Sequence, residues 1–195
     1  MKKLSIQRRA QNQRGFTLTE LLVGTVVLAI GVALMTILLF GALDDRRGET
    51  EGKRAAIAAM CGSKMGRSMG SLGSVTVAAM INSGCFGKDE KIQNRGATNA
   101  SLANNSKNTD YTMALGTIEA TNDSVCVQTQ VAQAECTATV EGAADAGAAL
   151  IQVTPAGGSA LTVKSGSARV NMVLAGGQNA CNGAAPIAVS ACARY

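Results

Sequence analysis

The sequence contains no histidine and no tryptophan, and aromatic residues make up only 3% of its 195 residues. Without histidine, the chain cannot build a Ser-His-Asp or Cys-His catalytic set, an imidazole metal ligand or an imidazole pH switch. The few aromatic side chains predict a light hydrophobic core. Proline is also rare, since Pro155 and Pro186 are the only two.

Motifs for catalysis and cofactor binding are absent as well. The six cysteines have neither a CxxC pair nor the spacing of zinc ligands. Residues 83–89 resemble the end of a phosphate-binding loop, but Asn82 stands where a glycine is required and Asp89 where a Ser or Thr would bind magnesium. The sequence therefore predicts no catalytic residue, no metal site, no cofactor and no enzymatic activity.

The net charge of +5 is confined to the N-terminal segment. Residues 1–15 hold five basic residues and no acidic one, whereas the rest of the chain has equal numbers of basic and acidic residues. Nucleic-acid binding needs clustered Lys and Arg to contact phosphates. The neutral remainder therefore predicts no nucleic-acid partner.

A long apolar run follows the basic segment. Residues 21–43 contain no charge, and a helix of that length spans roughly 34 Å, which is enough to cross a bilayer core. The basic residues before the run and Asp44-Asp45 after it place the N-terminus in the cytoplasm. A secretory signal has a shorter apolar region, and a plain membrane anchor does not explain Glu20, since an unpaired carboxylate in this zone costs about 2.5–3.5 kcal/mol.

The hexapeptide Gly15-Phe16-Thr17-Leu18-Thr19-Glu20, between the basic leader and the apolar run, resembles the signature of type IV prepilins with a class III signal peptide. This resemblance implies that a prepilin peptidase cleaves between Gly15 and Phe16. The same enzyme would methylate the new amino terminus of Phe16. Residues 1–15 would then be a cytoplasmic leader that the mature protein lacks.

The resemblance also implies a role for Phe16 and Glu20 in assembly. Glu20 would attract the N-terminal amine of a neighbouring subunit, while the alternative is a solvated carboxylate at the level of the lipid headgroups. The implied partners are other copies of the chain in a helical filament, the prepilin peptidase and the inner-membrane pilus assembly machinery. The precursor would reside in the bacterial inner membrane and the filament on the cell surface.

The implied function is that of a type IV pilin that supports adhesion, motility or DNA uptake. The alternatives are a pseudopilin of a type II secretion system and a minor pilin at the filament tip. The leader and mature-chain lengths favour a type IVb-like subclass, whereas Phe16 and the C-terminal cysteines are typical of type IVa. Many type IVa pilins have a proline in the apolar helix, but this chain has Gly24, Gly31 and Gly41 there.

Sequence patterns predict an α+β fold with a long N-terminal helix on an antiparallel sheet. The helix is expected over residues 16–62, with 16–43 forming the transmembrane half and the filament core, and a globular head over 63–195. Residues 75–81 fit a short helix or a strand, and residues 82–110 a polar surface loop. Alternating side chains predict further strands, at residues 125–131, 134–140, 149–154, 160–164 and 168–175.

An even number of cysteines in an exported chain indicates disulfide bonds, and six cysteines allow 15 full pairings. The resemblance to pilins implies Cys181–Cys192 as the first preference, because these proteins commonly close a C-terminal region with a disulfide. Cys126–Cys136 is the second, since two alternating strands would bring both cysteines together. Cys61–Cys85 is the third.

Overall fold

The structure is a computed structural model that describes residues 17–87, 91–104, 107–119, 122–173 and 179–195. It divides into two compact units, one that ends at Phe40 and one formed by Gly41–Tyr195. The helices in these ranges are α1 (Leu18–Met69), a 3-10 turn (Leu72–Ser74), α2 (Val77–Asn82) and α3 (Gln133–Asp145). The strands are β1 (Ile92–Gln93), β2 (Ser101–Leu102), β3 (Thr112–Gly116), β4 (Ser124–Val131), β5 (Leu150–Thr154), β6 (Leu161–Ser165) and β7 (Ile187–Arg194).

The sheet of the second unit has the strand order β3-β4-β7-β5-β6, and every neighbouring pair is antiparallel. Strands β1 and β2 form a separate antiparallel pair. The alanines of α1 between residues 55 and 59 are buried in one core with Val125 and Val127 of β4. The α+β prediction, with a long N-terminal helix on an antiparallel sheet, is therefore confirmed.

Helix α1 continues to Met69, past the predicted end near residue 62. Gly62 and Gly66 lower helix propensity, but each lies against a neighbouring side chain, Gly62 beside Met80 and Gly66 beside Leu72. Tertiary packing therefore outweighs propensity here. The helix ends at Gly70, which has a φ of 69° and is followed by a backbone bond of 3.1 Å from Ser71 N to Gly66 O, the pattern of a Schellman cap.

The predicted strand at residues 134–140 is wrong, because this segment lies in α3. Its buried side chains include Cys136, Thr139, Val140 and Ala143, which follow the three- and four-residue spacing of a helix. The alternation that predicted a strand covers too few residues to separate the two periods. Glu135 also bonds the backbone N–H of Ala132 at 3.3 Å, which supports the helix start.

The predicted strand at residues 168–175 is also wrong over its described part. Residues 168–172 are in no strand, and Val173 forms only an isolated bridge with Asn179. In contrast, the patterns at 125–131, 149–154 and 160–164 correctly predicted β4, β5 and β6. The segment at 75–81 lies largely in α2, whose N-terminus is capped by Thr76 through a 3.1 Å bond from Ala79 N.

The central strand β7 was missed by the sequence patterns. It pairs with β4 along eight residue pairs and with β5 on its other side. Its sequence, IAVSACAR, is rich in alanine, which is depleted in strands. It forms a strand because both of its edges are hydrogen-bonded and because Ile187, Val189 and Ala191 enter the core.

The disulfide bonds are Cys61–Cys85, Cys126–Cys192 and Cys136–Cys181. The first of these was expected, whereas the predicted Cys181–Cys192 and Cys126–Cys136 pairs are wrong. Cys192 lies in β7, directly opposite Cys126 of β4, so these two residues bond. Cys136 is on α3 instead of on a strand, and it reaches Cys181 in the segment before β7.

Helices α1 and α3 cross at glycines. A side-chain carbon on Gly52 would collide with the backbone of Thr139 and lie 2.8 Å from Ala143 N, and Gly48 and Gly142 are equally confined. Glycine therefore permits the two backbones to approach within direct contact. The crossing fixes α3 beside residues 48–52 of α1.

Candidate functional site

The first turn of α1 contains a reciprocal pair of hydrogen bonds between Thr17 and Glu20. The backbone N–H of Glu20 donates to Thr17 Oγ1 at 3.3 Å, and the backbone N–H of Thr17 donates to Glu20 Oε2 at 3.0 Å. The Thr17 hydroxyl also donates to Oε2 at 2.9 Å. This arrangement is a capping box, which satisfies backbone donors that have no partner in the helix.

The capping box determines where the Glu20 carboxylate lies relative to the expected cleavage point. Gly15 and Phe16 are outside the described residues, but Phe16 is bonded directly to Thr17, whose N–H the carboxylate accepts. A negative charge at a helix N-terminus is also favoured by the helix dipole. Glu20 is therefore held at the end of α1 that cleavage would convert into a free amino terminus.

Sequence reasoning selected Glu20 but missed Thr17 as its partner. The signal was available, because a Thr followed three residues later by Glu, just before an apolar run, is typical of a capped helix start. Phe16 and Glu20 were predicted to act together in assembly. The structure describes only Glu20 of these two, so that prediction remains open.

The helix that follows is apolar and exposed. Residues 18–36 have a mean hydropathy of 2.2, and none of them is buried, so that by length and composition this helix could cross a membrane. Leu21, Leu28 and Met35 are 62%, 68% and 67% exposed, respectively. Such a surface requires lipid or another apolar helix, since it is far larger than the apolar patches that soluble monomers expose.

Two threonine hydroxyls within this helix bond to its own backbone. The Thr25 hydroxyl donates to Leu22 O at 2.9 Å, and the Thr36 hydroxyl donates to Ala33 O at 2.8 Å. Neither hydroxyl therefore needs a partner from a surrounding apolar medium. Glu20 is the only ionisable side chain between Thr17 and Leu43.

A shallow apolar groove of about 570 Å³ runs along the same helix beside Gly31, between Val27 and Leu39. No atom lies within 4 Å of the position of a side-chain carbon at Gly24 or at Gly31. Small residues at such positions let the backbone of another helix approach closely in an apolar medium. The groove can therefore receive the side chains of a neighbouring helix.

A second polar cluster lies in the head, where sequence reasoning placed nothing. Tyr111 donates a hydrogen bond to the carboxylate of Glu51, which is fully buried. Burial and the neighbouring Glu51 charge raise the pKa of Tyr111, and Arg54 acts in the opposite direction. The Tyr111 ring also contacts Phe86, with ring centroids 5.3 Å apart. This cluster attaches α1 to the start of β3.

The described residues contain no group of three or more His, Cys, Asp or Glu side chains able to hold a metal ion. All six cysteines are in disulfide bonds. Within this part of the chain, the chemistry of the site is therefore that of one carboxylate on an exposed apolar helix.

Comparison with known proteins supports this interpretation at the N-terminus. Residues 10–43 match the family model described as the prokaryotic N-terminal methylation motif. No curated protein matches the chain in sequence. The motif supports a pilin-like or pseudopilin substrate of prepilin peptidase, and with the apolar helix it fits an inner-membrane precursor. The chain therefore carries at residues 10–43 the class III signal peptide of type IV pilins, with an apolar N-terminal helix.

Proposed function

We propose that the chain is a structural subunit that polymerises into a type IV pilus filament. The observation that carries this proposal is the exposed apolar helix of residues 18–36, with the capped carboxylate of Glu20 at its start. In this proposal, cleavage between Gly15 and Phe16 removes the leader of residues 1–15, and the new amine of Phe16 is methylated. The subunit has no enzymatic activity of its own.

Assembly is driven by the exchange of lipid for protein around the apolar helix. Because lipid tails are as apolar as leucine, the free energy of helix association comes from close packing and not from the hydrophobic effect. The open surface at Gly24 and Gly31 allows such close packing. Residues 16–43 form the filament core in this arrangement. The head faces outward, stabilised by its three disulfide bonds.

Glu20 fixes the stagger between neighbouring subunits. In a filament core without water, a carboxylate and an ammonium group are each costly alone, and their pairing offsets part of that cost. The thermodynamic gain is small, but only one axial position brings Glu20 of one subunit to the Phe16 amine of the next. The pair therefore sets the register more than the stability.

The precursor resides in the inner membrane and the filament on the cell surface, where it supports adhesion, motility or DNA uptake. A pseudopilin or a minor pilin has the same processing motif and is the second candidate. All three use the prepilin peptidase and an inner-membrane assembly machinery. They differ in whether the subunit is abundant in surface filaments.

The test is electron microscopy and mass spectrometry of filaments sheared from cells that produce the chain. Abundant filaments built from a chain that begins at N-methyl-Phe16 are the expected result. A processed chain that stays in the membrane fraction, with no filaments despite good expression, would instead indicate the pseudopilin or minor-pilin role. An unprocessed chain would contradict the whole proposal.

A further inference from the structure

Two charged grooves flank α1 within the unit of residues 41–195. The basic groove lies beside the first turns of the head segment of α1 and is lined by Leu43, Arg46, Arg47, Thr50, Glu51 and Lys91. The acidic groove lies between α1 and α3 and is lined by Asp45, Glu49, Thr137, Ala138, Glu141 and Asp145. Each has a volume of about 490 Å³.

The two grooves carry opposite charges. The basic groove has three cationic side chains, and its one acidic residue, Glu51, is fully buried and accepts a hydrogen bond from Tyr111. The acidic groove has four carboxylates and no basic residue in its lining. One of the four, Glu49, forms an ion pair with Lys53 of the same helix.

Several of these charges form no direct ion pair within the subunit, although Arg46 attracts Glu49 and Lys53 attracts Asp145. In the described part of the chain, no ion pair involves Arg46 or Arg47 of the basic groove, nor Asp45, Glu141 or Asp145 of the acidic groove. All five residues are exposed. Like charges that share a groove repel each other, and a surface of opposite sign relieves that repulsion. Each groove therefore fits a partner with the charge of the other.

A second copy of the same chain supplies that partner. Successive α1 residues are about 100° apart around the helix axis, so Asp45 and Glu49 lie about 40° apart and Arg47 lies about 160° from both. Arg46 is about 60° from Glu49 and about 100° from Arg47, so it lies between the two sides. Both pairs come from the same two turns of the helix. A contact between different surfaces of identical subunits can repeat along an open helical assembly.

We propose that the acidic groove of one subunit docks against the basic groove of its neighbour. The proposal rests on the filament function above and adds the surface through which the heads recognise each other. The contact complements the Glu20 pair, because it acts between heads outside the apolar core. It also gives the heads a direction, since only unlike grooves meet.

The test compares three charge-reversal variants of the full chain: one in each groove and one that combines both. Glu141→Lys with Asp145→Lys reverses two of the four negative charges of the acidic groove, and Arg46→Glu with Arg47→Glu reverses two of the three positive charges of the basic groove. Each double variant places like charges across the contact, and sheared-filament yield should fall about tenfold or more. The variant with all four changes restores opposite charges and should return to within about twofold of the unmodified chain.

Lys64→Glu with Arg169→Glu is the matched control, because both side chains are exposed and lie outside the two grooves. It should assemble normally. Mass spectrometry of the membrane fraction must show normal processing and three disulfides in every variant, so that misfolding is recognised. Normal filaments from either double variant, or no recovery with all four changes, would overturn the docking proposal alone. Absence of filaments from the unmodified chain would overturn the filament function and the docking proposal together.

Discussion

Glu20 binds Thr17 through a single carboxylate oxygen. Both the backbone N–H and the hydroxyl of Thr17 donate to Oε2, at 3.0 and 2.9 Å, and no described residue bonds to Oε1. One oxygen can therefore cap the helix of its own subunit while the other receives an amine from a neighbour. The capping and pairing roles of Glu20 are compatible in geometry, and different substitutions can separate them.

Glu20→Gln should be processed normally and assemble poorly. A glutamine side chain retains an oxygen that accepts the Thr17 hydrogen bonds, as in other capping boxes, but it carries no charge for a neighbour's ammonium group. Leaving a buried ammonium unpaired costs several kcal/mol, and each 1.4 kcal/mol changes an equilibrium about tenfold. Filament yield should therefore fall at least about tenfold. Electron microscopy of sheared material and mass spectrometry of the membrane fraction measure the two effects.

Thr17→Val is the complementary control, because valine has a similar shape but no hydroxyl. It removes the cap and leaves the Glu20 charge in place, at a cost of about 1 kcal/mol to the helix start. Filament yield should fall less than in Glu20→Gln. Equal losses in the two variants would show that Glu20 matters only as a cap.

The elements that the sequence predicted are those with a long or regular local pattern. The charge-free run indicated the first half of α1, and clean alternation indicated β4, β5 and β6. Short patterns failed. Residues 134–140 fit both the two-residue period of a strand and the period of a helix, and the helix is favoured only by the glycine crossing with α1 and the burial of Thr139. Strand β7 depends on hydrogen bonds from both neighbours, which no local pattern contains.

In the candidate site, too, local features could be predicted from the sequence and long-range contacts could not. Glu20 and the apolar helix could be predicted because a single charge at the start of a charge-free run is a feature of consecutive residues in the sequence. The Cys126–Cys192 and Cys136–Cys181 pairs could not, because they depend on where β7 and α3 lie. The Tyr111–Glu51 contact joins residues 60 positions apart in the chain. Long-range contacts of this kind require the fold itself.

Gly52→Ala should destabilise the head. The added methyl group would meet the backbone of Thr139 and lie 2.8 Å from Ala143 N, and backbone atoms move less readily than side chains. Such overpacking costs about 1–3 kcal/mol, which lowers the melting temperature by about 2–4 °C per kcal/mol. Circular dichroism melting of the full chain in detergent measures the shift.

Gly31→Ala provides the control in the same helix, since nothing lies within 4 Å of the added methyl group. Alanine also favours a helix over glycine by about 1 kcal/mol. Because Gly31 lies outside the head, the head of this variant should melt at the same temperature as in the unmodified chain. A Gly52→Ala variant that melts like Gly31→Ala would contradict the close crossing of α1 and α3.

The disulfide pairing can be read directly from peptides. Digestion without reduction should release linked fragments that contain Cys61 with Cys85, Cys126 with Cys192 and Cys136 with Cys181. A linked Cys181–Cys192 fragment would contradict the position of β7.

Removal of these bonds should affect stability unequally. The Cys126–Cys192 bond has a sequence separation of 66 and the Cys61–Cys85 bond one of 24. Loss of a bond that closes a longer loop releases more entropy in the unfolded chain, by about 1 kcal/mol for this pair. Replacing both cysteines of Cys126–Cys192 by alanine should therefore lower the melting temperature more than the same change at Cys61–Cys85. Calorimetry of the full chain in detergent, with each variant compared at the same pH, gives the order.

Tyr111→Phe should change how stability depends on alkaline pH. Burial, followed by the Glu51 charge, raises the pKa of Tyr111 in the folded protein, whereas an unfolded tyrosine ionises near pH 10. A group with a raised folded pKa contributes its full stability below the unfolded pKa and loses it as the pH rises further. Above about pH 10 the unfolded chain releases this proton, so the free energy of unfolding should fall by up to about 1.4 kcal/mol per pH unit.

The phenylalanine variant lacks that proton and should show a shallower decline between pH 10 and pH 11, in about the range where free tyrosine ionises. It should also be less stable at neutral pH by about 1–3 kcal/mol, because the buried Glu51 loses a hydrogen-bond donor. Urea unfolding of both proteins at a series of pH values separates the two effects. Parallel curves for the two proteins above pH 10 would mean that Tyr111 ionises as readily in the folded head as in the unfolded chain, which its burial against Glu51 and Phe86 forbids.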